Sequence, residues 1–162
     1  MSVDKVRPFV FAISGLDPSG KAGLLKDISV INRLSAIAGG IPSAITVQDF
    51  HRGYEFQPID SKLLSRTLRT IWADRKPDAV KIGMIPDINT AEIIAENIFY
   101  DAGNITIIWD PVMTSSDGLE LVNPDQYDKI FSILMAGIDL SLIHISEPTR
   151  PLYISYAVFC LK

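Results

Sequence analysis

The sequence predicts one α/β domain built on a mostly parallel β-sheet with helices on both faces. Two observations carry this. Short apolar runs alternate with amphipathic stretches in the order strand, helix, strand, helix. The runs are continuously apolar rather than alternating, as strands buried on both faces must be. A third observation narrows the reading. The residues with chemical character fall where the apolar runs end, at the edge where such sheets take ligands.

Phe9 to Ser14 (FVFAIS) reads as a buried strand closed by Gly15, and Asp17-Pro18-Ser19-Gly20 as a turn. Leu24, Ile28, Ile31 and Leu34 then recur at helical spacing. Ile41 to Val47 is a second strand, followed by a polar stretch from Asp49 to Pro58. Leu64, Leu68 and Ile71 share one face of a helix that ends near Lys76-Pro77. Ala79 to Ile82 is a third strand, closed by Gly83. Asn89 with Glu92 three residues on resembles a capping box, and Ile94 and Ile98 carry that helix inward. Ile105 to Trp109 is a fourth strand ending at Asp110-Pro111. Asn123-Pro124 starts a last helix, with Asn as cap, Pro at the first helical position, and Tyr127, Ile130, Phe131 and Leu134 as its apolar side. Trp72 and Trp109 lie on apolar patterns and are expected in the packing. Asp74, Arg75 and Asp78 are expected to form a solvated helix-end cluster. No internal repeat or low-complexity linker divides the chain.

The 162 residues are 48% apolar and 21% charged with a net charge of −4, ordinary for a soluble globular protein. A mildly acidic chain without a basic run has no electrostatic footprint for nucleic acid or anionic membrane, so neither is an expected partner. Small metabolites are. The single cysteine, Cys160, excludes a disulfide framework and a cysteine metal cluster and fits a reducing compartment. The charged stretch Met1 to Arg7 does not read as a signal peptide, and no stretch reaches the length of an apolar membrane span. A cytoplasmic location is expected.

Gly15 to Ala22 reads G-L-D-P-S-G-K-A, one residue short of the phosphate-binding pattern G-x-x-x-x-G-K-[ST]. Ala22 lacks the hydroxyl that ligates Mg²⁺ in such loops, and Pro18 removes a backbone N–H that could cradle phosphate. A nucleotide-binding P-loop is therefore a weaker alternative, beside a tight turn with no ligand.

Ile13 to Gly23 together with Asp27 resembles the first-strand signature of hydroxymethylpyrimidine (phosphate) kinases of the ribokinase-like superfamily, roughly I-A-G-[ST]-D-P-S-G-G-A-G-x-x-A-D. Three further segments match in order. Ser43 to Gln48 is similar to a second strand ending in glutamine, Val80 to Met84 to a K-I-G-M element, and Asp110 to Met113 to a D-P-V-M element. A weaker match continues through Leu121 to Asp125. The departures are specific. Ser14 and Lys26 stand where the family has alanine, Leu16 where it has a hydroxyl residue, and Lys21 where it has glycine. Ser116-Asp117-Gly118 stands in place of lysine-serine-glycine, which removes a phosphate contact.

The resemblance implies a three-layer ribokinase-like fold, truncated, with residues 1–140 as the N-terminal part of the kinase domain. It implies an ATP-dependent, Mg²⁺-using kinase of thiamine biosynthesis. The substrate would be 4-amino-5-hydroxymethyl-2-methylpyrimidine or its monophosphate, and the parent a homodimer. It assigns substrate binding to Gly15, Asp17, Ala22, Asp27, Gln48, Met84 and Val112, and the metal and phosphate side to Asp110. The chemistry of these side chains is compatible. A carboxamide such as Gln48 pairs a donor with an acceptor, the complement of an amine beside a ring nitrogen. Met84 and Val112 would be apolar walls, or plain core packing. Gly15 lets backbone approach a ligand closely, or simply turns the chain. Asp110 could bind Mg²⁺ directly or through water, or cap a turn. His51 is given no role. Pyridoxal kinase is the rival within the superfamily, and a non-catalytic pyrimidine-binding half-domain is the rival from another class.

After Asp139 the sequence leaves the family pattern. Ser141 to Pro151 is similar to the translation of a sequencing adapter, so 141–162 is expected to be a non-native tail. Leu152 to Leu161 is β-prone and uncharged, an aggregation hazard if exposed, and neither His144 nor Cys160 is given any chemistry. The resemblance places the glycine-rich anion hole, the aspartate base and most of the ATP site in a C-terminal half. No G-x-G-D or G-T-G-C segment occurs in these 162 residues. No catalytic residue is therefore expected in this chain, and negligible activity.

Overall fold

The structure is a computed structural model and describes residues 7–142. Six strands form one sheet in the order β3-β2-β1-β4-β5-β6. They are β1 (Phe9–Leu16), β2 (Ile37–Gln48), β3 (Gly53–Pro58), β4 (Ala79–Ile82), β5 (Thr106–Trp109) and β6 (Leu140–Ser141). All neighbours run parallel except β2 and β3, which are antiparallel. The helices are α1 (Gly23–Arg33), α2 (Ser61–Asp74), α3 (Ile88–Ile98) and α4 (Tyr127–Leu134).

The chain leaves β1 for β2 on one side and later returns to β4 on the other. Right-handed crossovers in opposite directions put their helices on opposite faces of the sheet. Accordingly α1 packs mainly on β1 and β2, while α2, α3 and α4 pack side by side on the other face. Phe9, Phe11 and Ile13 of β1, Val80 and Ile82 of β4, and Ile107 and Trp109 of β5 meet this three-helix layer through Leu64, Leu68, Ile94, Ile98, Phe131 and Leu134. Phe11 meets Trp72 edge-on with centroids 5.8 Å apart, and Trp109 lies 4.5 Å from Phe131. The intervening residues face α1. Ala12 sits by Gly40 and Leu24, and Lys81 reaches Asp27 of α1.

Several details differ from the sequence reading, and β2 starts at Ile37, four residues before the expected Ile41. Gly15 does not close β1, which continues to Leu16 past a register shift. The polar stretch after Gln48 contains β3, an edge strand with Tyr54, Glu55 and Gln57 exposed. Such a strand needs no continuous apolar run, so its composition conceals it. The N-cap of α3 is Asp87, whose carboxylate accepts from Thr90 N–H at 2.7 Å, and Asn89 sits inside the helix. Asp78 is not merely solvated, since its carboxylate accepts the Phe9 N–H at 2.7 Å and fixes the start of β1. At the other end Ser141 pairs with Trp109 and is buried, and Leu142 N–H donates to the Trp109 carbonyl. Most of the expected tail, residues 143–162 with His144 and Cys160, lies outside the described residues. Among those described, no helix is long and apolar enough to cross a membrane.

Candidate functional site

Strand order reverses at β1, where its neighbours β2 and β4 connect onward in opposite directions, and a crevice forms beyond the carboxyl ends of β1 and β4. The loop after β1 shapes its floor. Asp17 is buried, and its carboxylate accepts from Ser19 N–H (2.7 Å), the Ser19 hydroxyl (2.9 Å) and Ala22 N–H (2.9 Å). Burial pushes this carboxyl up, but the donors from Ser19, Ala22 and Lys21 outweigh it and leave it below its ordinary value. Asp17 therefore builds the loop with its own oxygens. The chain then enters α1 at Gly23, whose φ is +58° and where a Cβ would lie 2.1 Å from the Gly15 carbonyl oxygen. Only glycine fits there. Gly15 is a second close approach, because a Cβ on it would meet Met84 Sδ at 2.7 Å. Met84 thus lies against bare backbone, and its own carbonyl accepts from the buried Ser43 hydroxyl at 2.6 Å.

A cavity of about 440 Å³ opens at this point. That size suits one small ligand. Gly15, Asp17, Ala22, Asp27, Gln48, Met84, Asp110 and Val112 all line it. Every site residue read from the sequence is therefore brought to one cavity. Met84 and Leu121 are buried and Val112 and Phe56 partly so, in a small apolar cluster of their own. Gln48 ends β2, and its Oε1 lies 2.9 Å from the Thr46 hydroxyl, which also lies 3.0 Å from the Leu16 carbonyl. Its amide nitrogen donates to no acceptor among the described residues.

The opposite wall is charged. Lys81 Nζ meets Asp27 Oδ2 at 2.8 Å, both largely buried. Burial is the main influence on the Asp27 carboxyl and raises it, Lys81 lowers it by charge and hydrogen bond, and the nearby Asp110 raises it again. The balance lies above the ordinary value. Asp110 follows β5, its N–H held by the Ile82 carbonyl at 2.8 Å. Among the described residues no three His, Cys, Asp or Glu side chains form a metal cage. A single rim carboxylate still fits Mg²⁺, which takes one or two carboxylates and fills its shell with phosphate oxygens and water.

Sequence reasoning assigned no part in the site to five residues. Lys81 stands in the K-I-G-M element, and strand alternation from the buried Val80 and Ile82 could have put it on the α1 face. Thr46 and Ser43 gave no separable signal. Asp117 accepts from the Ser115 hydroxyl and from Gly53 N–H at 2.7 Å, which in that order hold its carboxyl below the ordinary value. Lys21 donates to the Phe50 carbonyl at 2.7 Å, away from the loop where a P-loop lysine would cradle phosphate.

The family model for phosphomethylpyrimidine kinase matches residues 17–147. The chain belongs to this family. The chain is similar to a hydroxymethylpyrimidine/phosphomethylpyrimidine kinase of Aquifex aeolicus, 30% identical over 136 residues, or 84% of this chain and 53% of the relative. It thus spans about half the length of the curated relatives it matches. In fold it is similar to the phosphomethylpyrimidine kinase of Clostridium difficile (TM-score 0.75, 24% identity, 83% of this chain and 58% of that one). It is similar also to the pyridoxal kinase of Staphylococcus aureus in complex with ADP (TM-score 0.71, 24% identity, 85% and 49%). The shared architecture is the ribokinase-like kinase fold, and both vitamin-kinase types carry it.

Proposed function

We propose that the cavity is the pyrimidine site of an ATP-dependent hydroxymethylpyrimidine/phosphomethylpyrimidine kinase of thiamine biosynthesis. The observation that carries the reading is the convergence of Gln48, Met84, Val112, Asp27 and Asp110 on one 440 Å³ cavity at the switch point. In this reading Gln48 Oε1 accepts from the 4-amino group while its amide nitrogen donates to the adjacent ring nitrogen. Met84 and Val112 flank the ring, and Gly15 and Ala22 leave room for it. Asp27, steadied by Lys81, takes the hydroxymethyl group. Asp17 acts through the loop it organises. Asp110 would hold Mg²⁺ on the side of the incoming phosphate, where the ion neutralises developing charge. The nucleotide-bound pyridoxal kinase neighbour supports ATP as the donor. Ile45 and Val47, exposed on β2 beside the edge strand β3, support a homodimeric parent, and a single cysteine in 162 residues fits a reducing cytoplasmic setting.

Phosphoryl transfer depends on positioned charge around the transferring group. The 162 residues hold no G-x-G-D or G-T-G-C loop, so in this reading the chain keeps the pyrimidine cavity and lacks the loop that would hold the transferring phosphate. Isothermal titration of the chain with 4-amino-5-hydroxymethyl-2-methylpyrimidine, its 4-deamino analogue and pyridoxal tests both parts. The expected result is binding of the aminopyrimidine, weaker by roughly tenfold for the deamino analogue because the hydrogen bond from the amine to Gln48 Oε1 is lost. Gln48→Ala should remove the difference, and ADP release with ATP and Mg²⁺ should stay at background. Preference for pyridoxal would favour the pyridoxal kinase reading, and ADP release would overturn the claim of inactivity.

A further inference from the structure

Three loops meet at the mouth of the cavity. The turn between β2 and β3 is shaped by Asp49, whose carboxylate accepts from His51 N–H (2.7 Å), Arg52 N–H (2.9 Å) and the Tyr54 hydroxyl (2.8 Å). The Asp49 N–H closes the turn on the Arg52 carbonyl at 3.0 Å. These bonds last only while the turn keeps this shape, and at its base Gln48 pairs with Gly53. The β2–β3 ladder shifts register between Val47 and Gln48, just before the turn, and β3 is an edge strand. Apolar burial does not hold the tip either, since Phe50 is 62% exposed.

Two contacts from other loops do hold it. On one side Lys21, from the loop after β1, donates to the Phe50 carbonyl at 2.7 Å, with its ammonium 5.0 Å from the Phe50 ring centroid. On the other side Asp117 accepts the Gly53 N–H at 2.7 Å. Asp117 lies at the tip of a hairpin closed by the Thr114–Glu120 bridge, and Leu119 of that hairpin packs where a Gly53 Cβ would stand, 2.8 Å away. Lys21, Phe50, Gly53 and Asp117 all line the cavity. Lys21 and Asp117 are both among the departures from the resembled signature noted in the sequence.

We propose that Lys21 and Asp117 are positioning residues that latch the 49–52 turn over the cavity from two sides, slowing the exit of the ligand held at Gln48. The ligand's identity rests on the reading above, whereas the latch itself does not. Hydrogen exchange of the full chain without ligand tests it at the amides of His51, Arg52 and Gly53. Lys21→Met and Asp117→Ala should each speed that exchange roughly three- to tenfold, the factor one hydrogen bond supplies. Lys21→Arg should restore the wild-type rate, and β1 and β4 should be unaffected. Unchanged exchange in the turn overturns the proposal, as does an acceleration shared equally by β1 and β4, which marks a general loss of stability. With the aminopyrimidine bound, its dissociation should quicken by a similar factor in Lys21→Met, and an unchanged rate overturns the latch. If no pyrimidine binds but the exchange pattern holds, the pyrimidine reading fails and the latch stands.

Discussion

Asp17 and Asp27 line the same cavity and are displaced in opposite senses. Asp17 is held down by donors from its own loop despite its burial. It therefore stabilises the fold above the ordinary aspartate range, and that contribution is lost as pH falls through its lowered value. Asp27 is pushed up, first by burial and further by Asp110, against the pull of Lys81. Its contribution is complete below the ordinary range and is lost as pH rises through its raised value. When it is ionised, Asp27 relies on Lys81, 2.8 Å away. Carboxyl ¹³C titration should place Asp27 above an ordinary aspartate. Lys81→Met should raise it further and Asp110→Asn should lower it. A midpoint indifferent to Lys81 would remove the reason for calling this pair part of the site.

At the scale of elements, the first loop and α1 are joined at Gly23. Two glycines separate the causes of that constraint. Gly103 has φ +55° with open space around it, while Gly23 has φ +58° with a carbonyl oxygen 2.1 Å from any Cβ. Gly103→Ala should cost about 1 kcal/mol and Gly23→Ala about 2–3 kcal/mol or more, read as urea midpoints. Equal losses would mean the helix start can shift without cost. The elements that sequence made legible are those whose burial is continuous, such as β1, β4 and β5. The site loops were legible because glycine, proline and aspartate punctuate the strand ends. β3 was not, because an exposed edge strand needs only one apolar face, and Tyr54 and Phe56 among polar residues look like a loop. The Asp87 cap was hidden by the better-spaced pair Asn89 and Glu92. Lys21 and Asp117 were visible as departures from a pattern, but their partners, a carbonyl and an N–H of a distant turn, carry no side-chain signature.

At the scale of the molecule, one topological fact organises the rest. The strand order reverses at β1, and every chemically distinctive loop ends at the opening this creates. Relatives about twice as long share this half of the architecture. The most direct measurement is an intermolecular NOE between the aminopyrimidine and a chain carrying ¹³C-methyl methionine, with Met84 assigned among the four methionines by Met84→Leu. The expected result is a cross-peak from ligand ring-substituent protons to the Met84 methyl, lost in Gln48→Ala. Binding with cross-peaks only to other methionines, or none to Met84, would place the pyrimidine elsewhere and contradict the assignment of this cavity.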